Sequence, residues 1–146
     1  MDIVTLWSAL ALWLAWLGVA LWQWNLSKTS IEILGEKPEL ESSLRVFTIL
    51  WIALVESAVI YWFIVAFQIL WTDSVTTSQA IWAWLSVWLT AFWAWYWEWK
   101  LVSGAMIALA TNPKNKNMIL QFMILFIALV ESAAIYGLVV AQKILG

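Results

Sequence analysis

Two glutamates stand in the middle of long apolar runs, in nearly the same local context. One is Glu131, in Ile127-Ala128-Leu129-Val130-Glu131-Ser132-Ala133-Ala134-Ile135-Tyr136-Gly137. The other is Glu56, in Ile52-Ala53-Leu54-Val55-Glu56-Ser57-Ala58-Val59-Ile60-Tyr61-Trp62. A carboxylate at mid-membrane depth is costly and most often marks an ion or proton site. The plain alternative is a structural glutamate held by a partner the sequence does not reveal. Two copies with the same neighbours argue against that alternative.

The elements that must position these groups follow from composition. The chain has 146 residues, 65% of them hydrophobic and 11% charged, which is outside the range of soluble domains. Four apolar segments, roughly 3–26, 46–71, 79–110 and 118–145, each reach the ~20 residues that cross a bilayer as a helix. They are too long and too continuously apolar for barrel strands. The expectation is an all-α membrane protein with four transmembrane helices. Cysteine and histidine are both absent, which excludes disulfides and Cys/His metal centres. The net charge of −2 and the lack of a basic tract give nucleic acid nothing to bind. Met1-Asp2 opens the chain without a positive segment, so no cleaved signal peptide is expected. No nucleotide-binding or hydrolytic motif occurs, and no catalytic residue is expected.

Shifted by 75 residues, the sequence aligns with itself without a gap: Glu56 meets Glu131, Ser57 meets Ser132, Tyr61 meets Tyr136 and Pro38 meets Pro113. The chain therefore reads as two tandem helical hairpins, 1–71 and 79–146, joined by a short polar linker at 72–78. An even number of spans per copy inserts both hairpins in the same orientation, unlike the inverted repeats of many transporters. Helix one is expected to end before Gly35-Glu36-Lys37-Pro38 and helix two to start near Ser43; Asn112-Pro113-Lys114-Asn115 makes the second turn. Lys28, Lys37, Arg45, Lys100, Lys114 and Lys116 lie toward the turns at 35–44 and 111–117. Lys143, Asp2 and Asp73 lie toward the other side. The positive-inside rule then faces both turns to the cytoplasm, and the termini and linker outward.

Counting from the prolines gives depth. Glu56 lies 18 residues after Pro38 and Gln23 lies 15 before it; Glu131 and Glu98 stand in the same relation to Pro113. At about 1.5 Å per residue, each pair sits within a few ångströms of one level. Unpaired polar groups are expensive in hydrocarbon, so matched polar levels in both copies read as one site built twice.

This pattern resembles the c subunit, or proteolipid, of rotary ATP synthases, in a doubled form like that of the V-type proteolipid. The Ala-Leu-Val-Glu-Ser-Ala-x-Ile-Tyr element with Asn112-Pro113 carries the resemblance, which covers essentially the whole chain. It implies a homo-oligomeric membrane ring turning against a stator a subunit, each carboxylate taking an ion from one half-channel and releasing it to another. It implies Na⁺ or H⁺ as transported ion, no cofactor, and a non-catalytic subunit of an ATP synthase or ATPase. Lipid surrounds the ring, and the turns meet the central stalk of the catalytic head through Lys37, Pro38, Asn112 and Pro113. A multi-pass protein of a bacterial plasma membrane is the implied setting.

The resemblance also implies a ligand set. In sodium-binding members it comprises the glutamate, the following serine, a glutamine on helix one and a backbone carbonyl two residues before the glutamate, with a tyrosine orienting the carboxylate. Carried over, the first set is Glu56, Ser57, Gln23, the Leu54 carbonyl and Tyr61. The second is Glu131, Ser132, the Leu129 carbonyl, Tyr136, and Glu98 where glutamine would stand. Because neighbouring hairpins share ligands in the ring, complete sites are expected to mix residues of both halves and of adjacent chains. A lone buried carboxyl suits a proton, whereas sodium, a hard cation, needs several oxygens. Two carboxyls in one apolar site resist being charged together, so Glu98 is expected to hold a proton beside Na⁺. The usual basic turn residue is missing at Glu36 and Thr111.

Two other readings compete. A small four-helix proton-coupled drug antiporter also uses a membrane glutamate, but one expected in its first helix and without a parallel repeat. A tryptophan-rich structural or pore-forming protein leaves Glu56, Glu98 and Glu131 without a role.

The fifteen tryptophans need their own account. Trp93, Trp95, Trp97 and Trp99 recur at every second position, which places them on opposite sides of a helix and rules out a simple interfacial belt. Membrane helices pack instead through small residues. Across the repeat, Trp62, Trp71 and Trp93 align with Gly137, Gly146 and Gly18, while Trp16, Trp84 and Trp95 align with Ala91, Ala9 and Ala20. Trp51 meets Phe126, and the remaining four pairs are Trp with Trp. The segment 93–99 becomes a proteolipid glycine motif once each Trp is replaced by Gly, as happens if UGA codons for glycine are read as tryptophan. The competing readings are a natural Trp-rich ring of altered radius and a deliberate redesign.

Overall fold

The computed structural model describes residues 3–72 and 74–146, except the side chains of Ala11, Val55 and Ala58. Met1, Asp2 and Asp73, which bear on the expected lack of a cleaved signal peptide and on the charge asymmetry, lie outside the described residues. Four α-helices follow one another: α1 (Ile3–Glu36), α2 (Glu41–Trp71), α3 (Thr77–Thr111) and α4 (Lys116–Leu145). Single 3₁₀ turns, Pro38–Leu40 and Pro113–Asn115, join α1 to α2 and α3 to α4.

Proline, not glycine, makes these turns. The residue before each proline is driven out of the helical region by the ring: Lys37 has φ −137°, ψ 70°, and Asn112 has φ −140°, ψ 81°. Gly35 stays helical, so α1 runs to Glu36 and α2 begins at Glu41, tightening the turn expected from Gly35 to Ser43. At the other end, Thr76 and Gln79 form a reciprocal capping box that starts α3. Gln79 Nε2 also donates to the Ile144 carbonyl at 3.1 Å, tying the start of α3 to the end of α4.

By length and composition, α1, α2 with its leading turn, and α4 are apolar enough to cross a membrane. The apolar runs predict four such helices, and α3 falls short. Its 35 residues are ample, but Trp93 to Lys100 brings a carboxyl, an ammonium, a phenol and four indoles into one stretch. At about 1.5 Å per residue, helices of 30 to 35 residues outreach a hydrocarbon core of about 30 Å, so their ends project beyond it.

The helices form two layers. α1 packs on α2 and on α3, α3 packs most extensively on α4, and α2 touches both α3 and α4. The first helices of the two repeats are thus neighbours, as are the second helices. The α3 stripe Ala80, Ala83, Val87, Ala91, Ala94 is fully buried at helical spacing, the small-residue seam that lets membrane helices approach. At Gly137 the approach is closest: a Cβ there would lie 2.7 Å from the Ser86 carbonyl oxygen. At the turn end, Lys37 Nζ donates to the Ala110 carbonyl near the C-terminus of α3, where a cation is favoured by the helix dipole.

Tryptophan fills the rest. Trp62 and Trp95 stack at 5.8 Å with planes 17° apart, and Trp22 stacks on Trp99 at 5.3 Å. Among the described residues, the indole N–H groups of Trp7, Trp22, Trp51, Trp62, Trp84, Trp95 and Trp99 are buried without a hydrogen-bond partner. Buried Trp N–H groups ordinarily find one. At roughly 1–3 kcal/mol for each unsatisfied group, seven cost as much as the whole stability of an ordinary domain, roughly 5–15 kcal/mol.

Candidate ion site

The buried carboxyls lie where α2, α3 and α4 meet. Glu98 of α3 is fully buried and Glu131 of α4 is 8% exposed. Their carboxyls are close enough to interact. No hydrogen bond of normal geometry joins them: among the described residues, Glu98 Oε1, Glu98 Oε2 and Glu131 Oε2 are buried without a partner.

The fourth oxygen is engaged by the other hairpin. Ser57 Oγ of α2 lies 2.6 Å from Glu131 Oε1 and 2.6 Å from the Leu54 carbonyl oxygen. One hydroxyl proton cannot serve both acceptors. The cluster of Ser57 Oγ, Leu54 O and Glu131 Oε1 is completed either by a proton on Glu131 or by a cation among the oxygens. Tyr61, one turn further along α2, lies close enough for its hydroxyl to interact with Ser57 and Glu131. Each contribution follows from helical spacing. Leu54, Ser57 and Tyr61 stand at i, i+3 and i+7 on one face of α2, which looks onto α3 and α4.

The carried-over set of Glu131, Ser132, Leu129 and Tyr136 is therefore divided differently. Ser132 Oγ bonds the Leu129 carbonyl at 2.6 Å, repeating the Ser57–Leu54 arrangement, but on the open edge of the bundle. There Tyr136 is 68% exposed. These residues do not reach Glu131, because the side of α4 that carries them faces away from α3. Glu131 is instead met by Ser57, whose hydroxyl also meets the Leu54 carbonyl, with Tyr61 close by, so the buried cluster draws on the two halves of one chain.

The first glutamate lies on the opposite edge. Glu56 is exposed and shares with Gln23 an apolar groove of about 460 Å³, lined also by Leu12, Val19, Val59 and Phe63. Gln23 and Glu56 have the relation on α1 and α2 that Glu98 and Glu131 have on α3 and α4. What this edge lacks within the chain is the serine, carbonyl and tyrosine set, and the far edge displays that set with no carboxyl of its own.

Of the turn residues, Pro38, Asn112 and Pro113 are exposed together at one end of the bundle, while Lys37 is half-buried against Ala110. The repeat holds no sign of that contact, since lysine aligns with Asn112. Nor does spacing show which serine serves which glutamate.

Among the families of known proteins, the model of the ATP synthase c subunit matches this chain twice, over residues 6–69 and 81–142. No curated protein matches it.

Proposed function

The chain belongs to the ATP synthase c-subunit family, and on that premise we propose that it forms a rotor ring that binds Na⁺ on Glu131 and Glu56, one ion per hairpin. The observation behind this reading is the buried oxygen cluster of Glu131, Ser57, the Leu54 carbonyl and Glu98, which has more acceptors than hydrogens. A hard monovalent cation suits such a set, and burial within the helix layers shields the charge from lipid.

The edge site becomes the same site when a second copy of the chain adds what the first lacks. Ser132, the Leu129 carbonyl and Tyr136 of one chain then close over Glu56 and Gln23 of the next. Repetition of this contact turns the hairpins into a closed ring with its first helices inside and its second helices outside. A stator a subunit would meet the outer layer and open each site in turn. The turns carrying Pro38, Asn112 and Pro113 would face the cytoplasm and the central stalk, and a bacterial plasma membrane fits the positive-inside pattern.

The test is carbodiimide labelling of the intact ring, with adducts mapped to Glu56 and Glu131 by mass spectrometry, with and without Na⁺. Protection of both residues by Na⁺ is expected. Labelling indifferent to Na⁺ identifies H⁺ as the ion, and a ring in which neither glutamate reacts rules out the rotor reading.

A further inference from the structure

The tryptophans are the part of the chain that ion transport leaves unexplained. We infer that the native protein carries glycine at every one of these positions encoded by UGA, because its own ribosomes read that codon as glycine. The inference holds whichever ion the chain carries.

The repeat gives the first ground. Where one copy has Trp and the other a small residue, that residue is Gly at 18, 137 and 146 and Ala at 9, 20 and 91. Buried positions tolerate swaps that conserve volume, and Trp for Gly is the furthest from that. Ordinary divergence would set Trp opposite other large apolar residues, yet only Trp51, opposite Phe126, shows this. At Trp51 the repeat makes no case for glycine. The glycine codon GGA becomes UGA by a change of one base. A gene that writes glycine both ways therefore interchanges the two between repeats without changing the residue. The Trp–Trp pairs fall in the same alternating run as the mixed ones: positions 18, 20, 22 and 24 read Gly, Ala, Trp, Trp, and 93, 95, 97 and 99 read Trp throughout.

Packing gives the second ground. Positions 137 and 62 are equivalent in the repeat and opposite in what they accommodate. A Cβ at Gly137 would lie 2.7 Å from the Ser86 carbonyl oxygen, so this point of the α3–α4 contact has no room for a side chain. Its counterpart Trp62 is buried and stacks on Trp95. Position 18 repeats the conflict. A Cβ there would lie 3.0 Å from the Trp95 ring, whereas Trp93, aligned with Gly18, is more than half exposed. Two copies of one hairpin do not require the smallest and the largest residue at the same place.

The surroundings of the indoles agree. Among the described residues, seven have a buried N–H without a partner and seven others are more than half exposed. Only Trp88, stacked on Trp84 and Phe92, is neither. The fold thus offers almost no indole both cover and a hydrogen-bond acceptor, which buried Trp ordinarily finds. Glycine removes the orphaned donors and lets helices approach closely. Its low helix propensity matters less in hydrocarbon, where the backbone must stay internally hydrogen-bonded.

Intact mass spectrometry of the protein purified from its native membranes, read beside the codons of its gene, tests this. The expected mass is lower than that of the tryptophan-containing chain by one Trp-to-Gly difference for each UGA codon. Fragment spectra should place glycine at those positions, and indole fluorescence should fall in proportion. A mass that matches tryptophan throughout overturns the inference. So does a residue other than glycine at the UGA positions, or UGG codons at Trp62, Trp93 and Trp95. The readout needs neither ring assembly nor ion binding. Glycine at these positions in a protein whose glutamates Na⁺ does not protect would overturn the sodium reading alone.

Discussion

The two hairpins share one sequence pattern and pack differently. In α3–α4 the seam is largely alanine and glycine, and at Gly137 the Thr90 side chain and the Ser86 carbonyl leave no room for a Cβ. In α1–α2 the residue aligned with Gly137 is Trp62, which stacks on Trp95 of the other hairpin and holds the layers apart. α3 and α4 accordingly pack more extensively than α1 and α2. The difference reaches the carboxyls: Glu131 is buried beside Ser57 and Glu98, and Glu56 stands in an open groove.

The comparison breaks most completely at the carboxylates. Glu131→Gln is expected to abolish ATP-driven Na⁺ transport, because every copy in the ring bears the lesion, and so is Glu56→Gln. If either variant transports normally, only one hairpin per chain works and the repeat is not functional. Next in size is the seam. Gly137→Ala should destabilise the ring by about 1–3 kcal/mol, read as a lower dissociation temperature in detergent. An unchanged temperature would mean that the close approach to Ser86 is not needed.

The serines sharpen the comparison by crossing it. Ser57→Ala should weaken Na⁺ protection at Glu131 about tenfold, roughly 1.4 kcal/mol, and leave Glu56 unaffected. Ser132→Ala should do the reverse through the neighbouring chain. If each serine instead affects the glutamate beside it in sequence, the assignment of ligands across hairpins is wrong. The smallest effect belongs to Lys37→Ala, which loses the contact to the Ala110 carbonyl and should cost up to about 1 kcal/mol in ring stability without changing labelling.

Much of this was legible in the residues. Long apolar runs broken by Lys37-Pro38 and Asn112-Pro113 dictate long helices and tight turns, because a proline constrains the residue before it wherever it stands. Counting from those prolines places Gln23 level with Glu56 and Glu98 level with Glu131. The groove that holds the first pair and the buried contact of the second agree with that count. The fourth apolar span was less legible: length marks α3 as a spanning helix, whereas its polar and indole-rich stretch does not meet the same hydropathy.

The sequence by itself determined the helices, the repeat and the depth of the carboxyls, since these depend on local backbone limits and on distance along a regular helix. Only the tertiary structure decided which side chains meet which glutamate. Ser57 and Ser132 are equivalent in sequence, yet one touches Glu131 and the other faces outward. That choice is made by which helices lie side by side, and a repeat with two equal copies leaves the pairing to packing across the layers.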